Sequence, residues 1–460
     1  MTDTTNIVAG RDQVRRRFLA LLALAALLRL PGLNQGFWFD EIMAVVMFFP
    51  APWSKLLTEM PIANHHPLYS LIGKLMFMAA GPQEWALRLP AFVFGALTPP
   101  VLYLAGRKIS ERAGVLAALF MSGGMWPVWF SQDARGYSLM ILLCLISAAL
   151  FLSACERPTR ANLIGCAACG ALAMYTHLFA GAVVGAELLV AAGRLGRRRD
   201  WRPLAAAAAA LVAAFLLYLP LLSDLALYTA TQGTITNGRE MSAGFLWTML
   251  TTFSAGRLPA ALGLGFLAPA AAGYALAWRR PLLPLLFTLS LLIGVAMPTV
   301  LHTFVFHRFF AYALPGAYLF AALSVDELFQ RGRPRLAAGL AVVIAVTILL
   351  PLGDYYRKGK QSFRPAADWI AANAPGYRPI AVGLGRQVYG YYDRSARGRA
   401  TEELTAANIG GSAVVVSHPW SVTVREHDLL TRNCGLAQSF PSAGYREYDV
   451  DVYLCPPPGR

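Results

Sequence analysis

Eleven apolar runs recur along residues 1–352, at 18–33, 87–106, 113–130, 137–154, 161–175, 178–193, 203–222, 258–278, 283–301, 309–325 and 336–352. A helix needs about 20 largely apolar residues to cross a bilayer, and in lipid every backbone polar group must be satisfied within the chain. Runs of this length and spacing restrict the first 352 residues to one polytopic helical bundle. Charge agrees with that restriction, since charged residues make up 14% of the 460-residue chain, against about 25% in soluble domains. Residues 353–460 differ: they hold 13 Lys/Arg and 10 Asp/Glu, and read as a more polar tail. The formal net charge of +15 is in this setting a question of topology and not a sign of nucleic-acid binding.

With the N-terminus inside, 19 of the 27 Lys/Arg of the body fall on one side, in clusters such as Arg15 to Arg17, Arg107 with Lys108, and Arg197 to Arg199. That is the distribution the positive-inside rule requires. The run 67–80 has 14 residues and contains Lys74. It is too short to cross, and counting it would flip every later loop, so it is expected to lie along the outer interface. Residues 39–49 and 245–253 are expected to do the same, which makes 34–84 one long outer loop. Basic residues followed by 18–28 also fit the front of a signal peptide. Arg29, Leu30 and Pro31 then stand where a small-residue cleavage site would be, so a retained first helix is expected.

An odd number of spans leaves the tail outside. Helical periodicity at 365–372 and 423–430, apolar stretches at 380–384 and 413–416, and alternation over 448–454 predict a small α/β domain. The expected division is thus a transmembrane domain, 1–352, and an extracytoplasmic domain, 353–460. Cys144, Cys155, Cys166 and Cys169 fall in or beside apolar helices. The C-x-x-C spacing of the last two has no second ligand pair, so structural thiols are expected there. Cys434 and Cys455 lie in the tail, where an oxidising compartment permits a disulfide.

Polar residues collect at the outward ends of the helices. Asp40 and Glu41 open the first outer loop, and His65 and His66 stand in its later half. Asp133 and Arg135 occupy the second loop, His177 the third, and His302, His307 and Arg308 the fifth. Each alone has a bland account: a helix cap for Asp40, a snorkelling side chain for Arg135, interfacial imidazoles elsewhere. Collected on one face they suit an anionic, lipid-anchored substrate, because carboxylates take a proton while Arg and His hold a phosphate.

In order along the chain stand Asp40-Glu41, Asn64-His65-His66-Pro67-Leu68-Tyr69, Trp85-Ala86-Leu87-Arg88-Leu89-Pro90 and Ser131-Gln132-Asp133-Ala134-Arg135-Gly136-Tyr137. Tyr175-Thr176-His177 and His307-Arg308-Phe309-Phe310 through Leu314-Pro315-Gly316 follow. This order resembles the bacterial GT-C glycosyltransferases, and more narrowly the protein O-mannosyltransferase and aminoarabinose-transferase group, to about residue 320. The resemblance implies a GT-C helical bundle in a bacterial inner membrane. It also implies transfer of a sugar, with inversion, from a polyprenyl-phosphate donor to an acceptor hydroxyl on the outer face. The implied acceptor is an envelope lipid, glycan or protein. By position Asp40 matches the catalytic base, with Glu41 beside it, and Asp133 the acid of the second loop, where the family often has Glu. His65, His66, Tyr69, Arg135, Tyr137, His177, His307 and Arg308 are the implied substrate-binding residues, with the doubled imidazole leaving open which of His65 and His66 faces the substrate.

No cofactor is demanded. Asp40, Glu41, Asp133 and the histidines have the chemistry to ligate a divalent cation, without the tight spacing that would require one. Asp449-Val450-Asp451 has the form of a nucleotide-sugar metal motif but sits in an alternating strand, and Gly383, Gly385 and Gly390 lack the dinucleotide spacing. A flippase for lipid-linked sugars would instead show repeat-related halves and midspan ionisable residues, of which Glu187 is the clear acidic example. A non-catalytic scaffold is the third reading.

Overall fold

The computed structural model describes residues 2–60, 62, 65–232, 241–393 and 402–457, with the side chains of 2–10, 197, 228, 229 and 232 left aside. The chain forms two compact units. One comprises Met1–Leu33 and Phe48–Leu352, the other Asn34–Met47 and Gly353–Arg460. Residues 34–47, expected in the outer loop of the body, group with the tail.

The first unit is helical. Among the described residues eight helical segments are long and apolar enough to cross a membrane: Glu84–Gly106, Tyr137–Glu156, Leu178–Gly196, Arg202–Leu227, Ala260–Ala277, Leu282–Val300, His307–Gln330 and Pro334–Asn373. Length and composition together thus single out eight of the eleven expected runs as spans. Residues 113–130 form a pair of helices, Glu111–Gly123 and Met125–Ser131, bent by 64°, which makes a ninth crossing if taken as one span. Residues 161–175 lie in Arg160–Thr176, 17 residues long. The first helix, Thr2–Leu27, stops short of residue 33, where Pro31 and Gly32 end the periodic pattern. The pair meets at Gly124, where a Cβ would run into the Tyr318 hydroxyl, so glycine lets the two helices approach. The helices Ala260–Ala277 and Leu314–Gln330 also touch through a glycine, since a Cβ on Gly273 would lie 1.7 Å from the Phe320 carbonyl oxygen. Small residues at such crossings let helices pack without a solvent-driven force between them.

The 14-residue helix Pro67–Ala80 is pinned by its lysine: Lys74 Nζ donates to the carbonyls of Ala51 at 2.5 Å and Phe49 at 3.4 Å. Glu187 is enclosed by hydroxyl and thiol donors, Ser147 Oγ at 2.9 Å and Cys166 Sγ at 3.6 Å. Cys144, Cys155, Cys166 and Cys169 are free.

The second unit carries a four-stranded sheet in the order β1-β2-β4-β3. Its strands are β1 Arg378–Val382, β2 Ser412–Ser417, β3 Gly435–Phe440 and β4 Val450–Cys455. β1 runs parallel to β2, while β4 is antiparallel to both β2 and β3. β2 is buried along its whole length, as a central strand covered on both faces must be. Ile380, Val382, Val414, Val416, Leu404 and Leu430 form the core. The helix Val424–Asn433 starts with a reciprocal cap between Thr423 and Glu426, and a disulfide joins Cys434 to Cys455. Asp449 and Asp451 serve the sheet, accepting from Ser442 N at 2.7 Å and Ser439 Oγ at 2.5 Å.

Candidate functional site

In the first unit the bend at Gly124 leads into the loop 132–136, and three side chains brace that loop. Gln132 Nε2 donates to the Arg29 carbonyl at 2.6 Å, and Arg29 Nε donates to Ser131 Oγ at 2.9 Å. Arg29 itself is held by the carbonyls of Ala25 and Ser122. Asp133 and Arg135 are buried as a result. Gly136 lets a second element come close, because a Cβ on it would lie 2.6 Å from Thr176 Cγ2 and 2.8 Å from His66 Nδ1. His66 stands just before Pro67, which opens the helix Pro67–Ala80 and is preset for a first helical position.

These constraints assemble a cluster. Arg135 Nη2 lies 2.7 Å from His66 Nε2; a guanidinium only donates, so His66 accepts there and carries its proton on Nδ1. Arg308 Nε donates to Tyr137 Oη at 3.0 Å, and the Arg135 guanidinium lies 5.1 Å from the centre of the same ring. His66 packs at 5.0 Å from both Tyr137 and His177, and His177 at 5.0 Å from Phe309. His177 Nδ1 accepts from Phe179 N at 3.2 Å and so caps the following turn.

Burial decides the charge state of the imidazoles. It pushes His177 down to about 3 and His66 well below the usual imidazole range, with Arg135 adding to both shifts. His65 is pushed down to about 4 by burial alone. At neutral pH the imidazoles are uncharged and the two guanidinium groups carry the charge. A cationic pocket walled by aromatic rings can grip a phosphate with charge-assisted hydrogen bonds and exclude water around it.

The remaining sequence candidates of this unit lie elsewhere. His65 stacks on Phe48 at 4.6 Å and, with His177, Phe179, Tyr218 and Phe309, lines an apolar hollow of about 120 Å³. Of the doubled imidazoles it is thus His66 that joins the arginines. Tyr69 Oη donates to the Leu87 carbonyl at 3.0 Å, a contact that ties two helices. His307 packs on Phe245 at 4.5 Å. Asn64 lies outside the described residues. Among the described residues no three His, Cys, Asp or Glu side chains converge as a metal-binding group.

Asp40 and Glu41 belong to the second unit, on the five-residue helix Phe39–Met43. The chain entering that helix is fixed at three successive residues. Phe37 N donates to Tyr392 Oη at 2.5 Å, Trp38 packs on Tyr448 at 5.4 Å, and Phe39 N donates to Gln361 Oε1 at 3.1 Å. Glu41 is engaged from two sides: Oε2 accepts from Trp38 N at 3.3 Å, and Oε1 lies 3.9 Å from Lys360 Nζ in a buried ion pair. Gln361, His418 and Tyr448 were invisible to sequence reasoning as site residues. The one trace was Gly359-Lys360-Gln361 directly after the last apolar run.

Comparison with known proteins adds to this geometry. A family profile described as dolichyl-phosphate-mannose-protein mannosyltransferase matches residues 64–223. The fold is similar to that of ArnT from Cupriavidus metallidurans in the apo state, with TM-score 0.59 and 12% identity over 95% of this chain and 97% of that one. The same protein bound to undecaprenyl phosphate aligns with TM-score 0.57 and 14% identity over the same shares. A search of curated protein sequences finds no match.

Proposed function

The chain is a multi-pass membrane protein with the GT-C fold that ArnT also has, and on that premise we propose that it is an inverting glycosyltransferase with a polyprenyl-phosphate sugar as donor. The observation that carries the reading is the pair of buried guanidinium groups, Arg135 and Arg308, gathered around Tyr137 and His66. It has the charge and the donors for a lipid-linked phosphate, and a relative binds undecaprenyl phosphate. An apolar groove of about 490 Å³ in the bundle, bordered by Cys144, Leu286, Phe287, Tyr312 and Leu319, has the lining an isoprenoid chain needs.

In the proposed reaction Asp40 removes the proton of the acceptor hydroxyl as its oxygen bonds to the anomeric carbon. The bond from that carbon to the phosphate oxygen breaks on the opposite face, and Arg135 and Arg308 stabilise the negative charge gathering on the departing lipid phosphate. One displacement gives inversion. The acceptor is an envelope lipid, glycan or protein, and the site faces outward in a bacterial inner membrane, where nucleotide sugars are not expected.

The test is incubation of purified protein with radiolabelled polyprenyl-phosphate sugars, a panel of hexoses and pentoses, together with a membrane extract as acceptor source. Label moving to an acceptor, or slow release of free sugar, is expected for one member of the panel. Donors that all stay intact, with no binding of undecaprenyl phosphate, would remove the reading. Single cysteines at Ser54, Arg425 and Arg198 test the orientation: a membrane-impermeant thiol reagent should label the first two alone.

A further inference from the structure

The helix Phe39–Met43 runs directly into the π-helical stretch Ala44–Phe48, and the direction of the segment at Asp40 depends on what holds its leading end. Its first N–H groups lack partners within the helix. A capping side chain at residue 38 would reach the amides of Asp40 or Glu41 and not that of Phe39. The acceptor comes instead from Gln361, 322 residues away in sequence.

Gln361 reaches that place because Gly359, at φ +74°, ends the helix Pro334–Lys358 and donates to the Tyr355 carbonyl at 2.7 Å. That turn is open to glycine at little cost. The Gln361 side chain is 2% exposed. With Oε1 accepting from Phe39 N, its amide group faces His418, Nε2 to Nδ1 at 3.4 Å. The amide donates, so His418 accepts at Nδ1 and bears its proton on Nε2.

His418 is itself held in an uncommon state. Its φ is +53°, a left-handed conformation that a non-glycine residue keeps only where the surroundings enforce it, and such positions cluster at functional sites. The enforcement is visible. His418 N donates to the Glu447 carbonyl at 3.1 Å, and the His418 carbonyl accepts from Ser421 N at 2.8 Å and Ser421 Oγ at 2.7 Å. Its ring meets Phe39 edge-on at 5.2 Å and Tyr448 at 5.5 Å. Backbone strain, a fixed amide and an aromatic contact thus converge on Phe39, the residue before Asp40.

We propose that Gln361, oriented by His418, is a positioning residue that sets the aim of the Asp40 carboxylate. The inference rests on the reading of Asp40 as the base. A local cap would steady the helix and let it move with its loop. An acceptor supplied by the folded tail ties the direction of the helix to the sheet domain, and aim is what a general base must have.

The experiment uses the full-length protein in detergent or nanodiscs, with Gln361→Met removing the acceptor oxygen, Gln361→Glu keeping it, and Asp40→Asn as reference. Gln361→Met should lower kcat roughly 10- to 100-fold with KM for the donor unchanged within about twofold, and Gln361→Glu should recover a large part of the loss. Hydrogen exchange gives a readout apart from turnover: peptides covering residues 36–43 should exchange faster in Gln361→Met while those of β2 and β4 stay protected. Normal turnover or unchanged exchange in Gln361→Met, beside an inactive Asp40→Asn, overturns the positioning role. If Asp40→Asn is fully active the base reading has failed, and the positioning proposal falls with it. General loss of protection across β2 and β4 in Gln361→Met would show a purely structural part and count against it as well.

Discussion

The two units hold their candidate chemistry by opposite means. In the first, Arg135, Tyr137, His177 and Arg308 stand at or beside the ends of long helices, and the bundle that carries those helices decides where they meet. In the second, the two acids ride at the leading end of the helix Phe39–Met43, which the π-helical stretch Ala44–Phe48 continues, and that end takes its bearings from Gln361, His418, Tyr392 and Tyr448. Long helices carry positional information along their own axes. The first turn of the acid helix takes its own from tertiary contacts. The cationic cluster is therefore insured by many contacts, while the acid helix depends on a few.

The largest expected effect tests whether the acids divide as this contrast says. Asp40→Asn keeps size, so turnover should fall about 100- to 10,000-fold with donor binding retained, measured as kcat and KM for the lipid-linked sugar. Asp133→Asn, on the buried loop of the bundle, should be milder. An inactive Asp133→Asn beside an active Asp40→Asn would place both halves of the chemistry in the bundle and dissolve the contrast.

Next in size is Arg308→Ala. Losing a charge-assisted hydrogen bond costs about 1.5–3 kcal/mol, so the affinity for undecaprenyl phosphate should weaken roughly 10- to 150-fold in a direct binding measurement. A helix-end residue of this kind should not unfold the bundle, and a thermal midpoint near that of the wild type would sharpen the comparison.

The third effect falls on the other unit. Cys434→Ser with Cys455→Ser removes the bond between the start of β3 and the end of β4, which typically costs about 2–5 kcal/mol in a small domain. Limited proteolysis should cut the tail at a lower temperature while the bundle stays resistant, and transfer should fail together with the tail. Equal resistance of both units would show that the tail needs no such staple.

The last effect is a pH slope in the bundle. His65 and His177, held at about 4 and about 3 when folded, titrate near 6.5 when unfolded. Between these values the unfolded chain binds more protons, so stability falls as pH drops below about 6.5, by up to ~1.4 kcal/mol per pH unit for each imidazole. Thermal midpoints from pH 7.5 to 5 should decline, and His65→Gln should flatten the slope. A flat profile in the unsubstituted protein would contradict the burial of these rings.

What could be read in advance follows the same contrast. Apolar runs mark helices wherever they occur, because lipid leaves the backbone no other choice. The break at Gly124 escapes such reading, since Gly124 and Pro127 sit in an apolar run without interrupting it, and the close approach of Tyr318 to Gly124 comes from another helix. His65 and His66 are adjacent in sequence, and only the packing of Gly136 against His66 separates their roles. In the tail, β2 shows as Ala413 to Val416 and β4 as an alternating stretch, whereas β3 is an exposed edge strand whose residues carry little pattern of their own. Arg357, Lys358, Lys360 and Arg364 lie just past the last apolar run. The structure gives each a use: Arg357 and Lys358 pair with Asp354, Lys360 with Glu41, and Arg364 donates to the Asn34 carbonyl. Gln361 could not be found at all, because a polar residue in a loop has no period.

The hydrogen bond from Phe39 to Gln361 also imposes a schedule. At roughly 5–20 residues per second of synthesis, the 322 residues between them take on the order of 16–64 seconds to appear. Throughout that time the acid helix has no partner for its leading amide, and Tyr448, which packs on Trp38, emerges later still. The nascent protein therefore spends almost its whole assembly with its bundle being laid down and its acids unaimed. On the reading of Asp40 as the base, completion of the last strand arms it, and a chain stalled or truncated before its tail should be an inert passenger of the membrane.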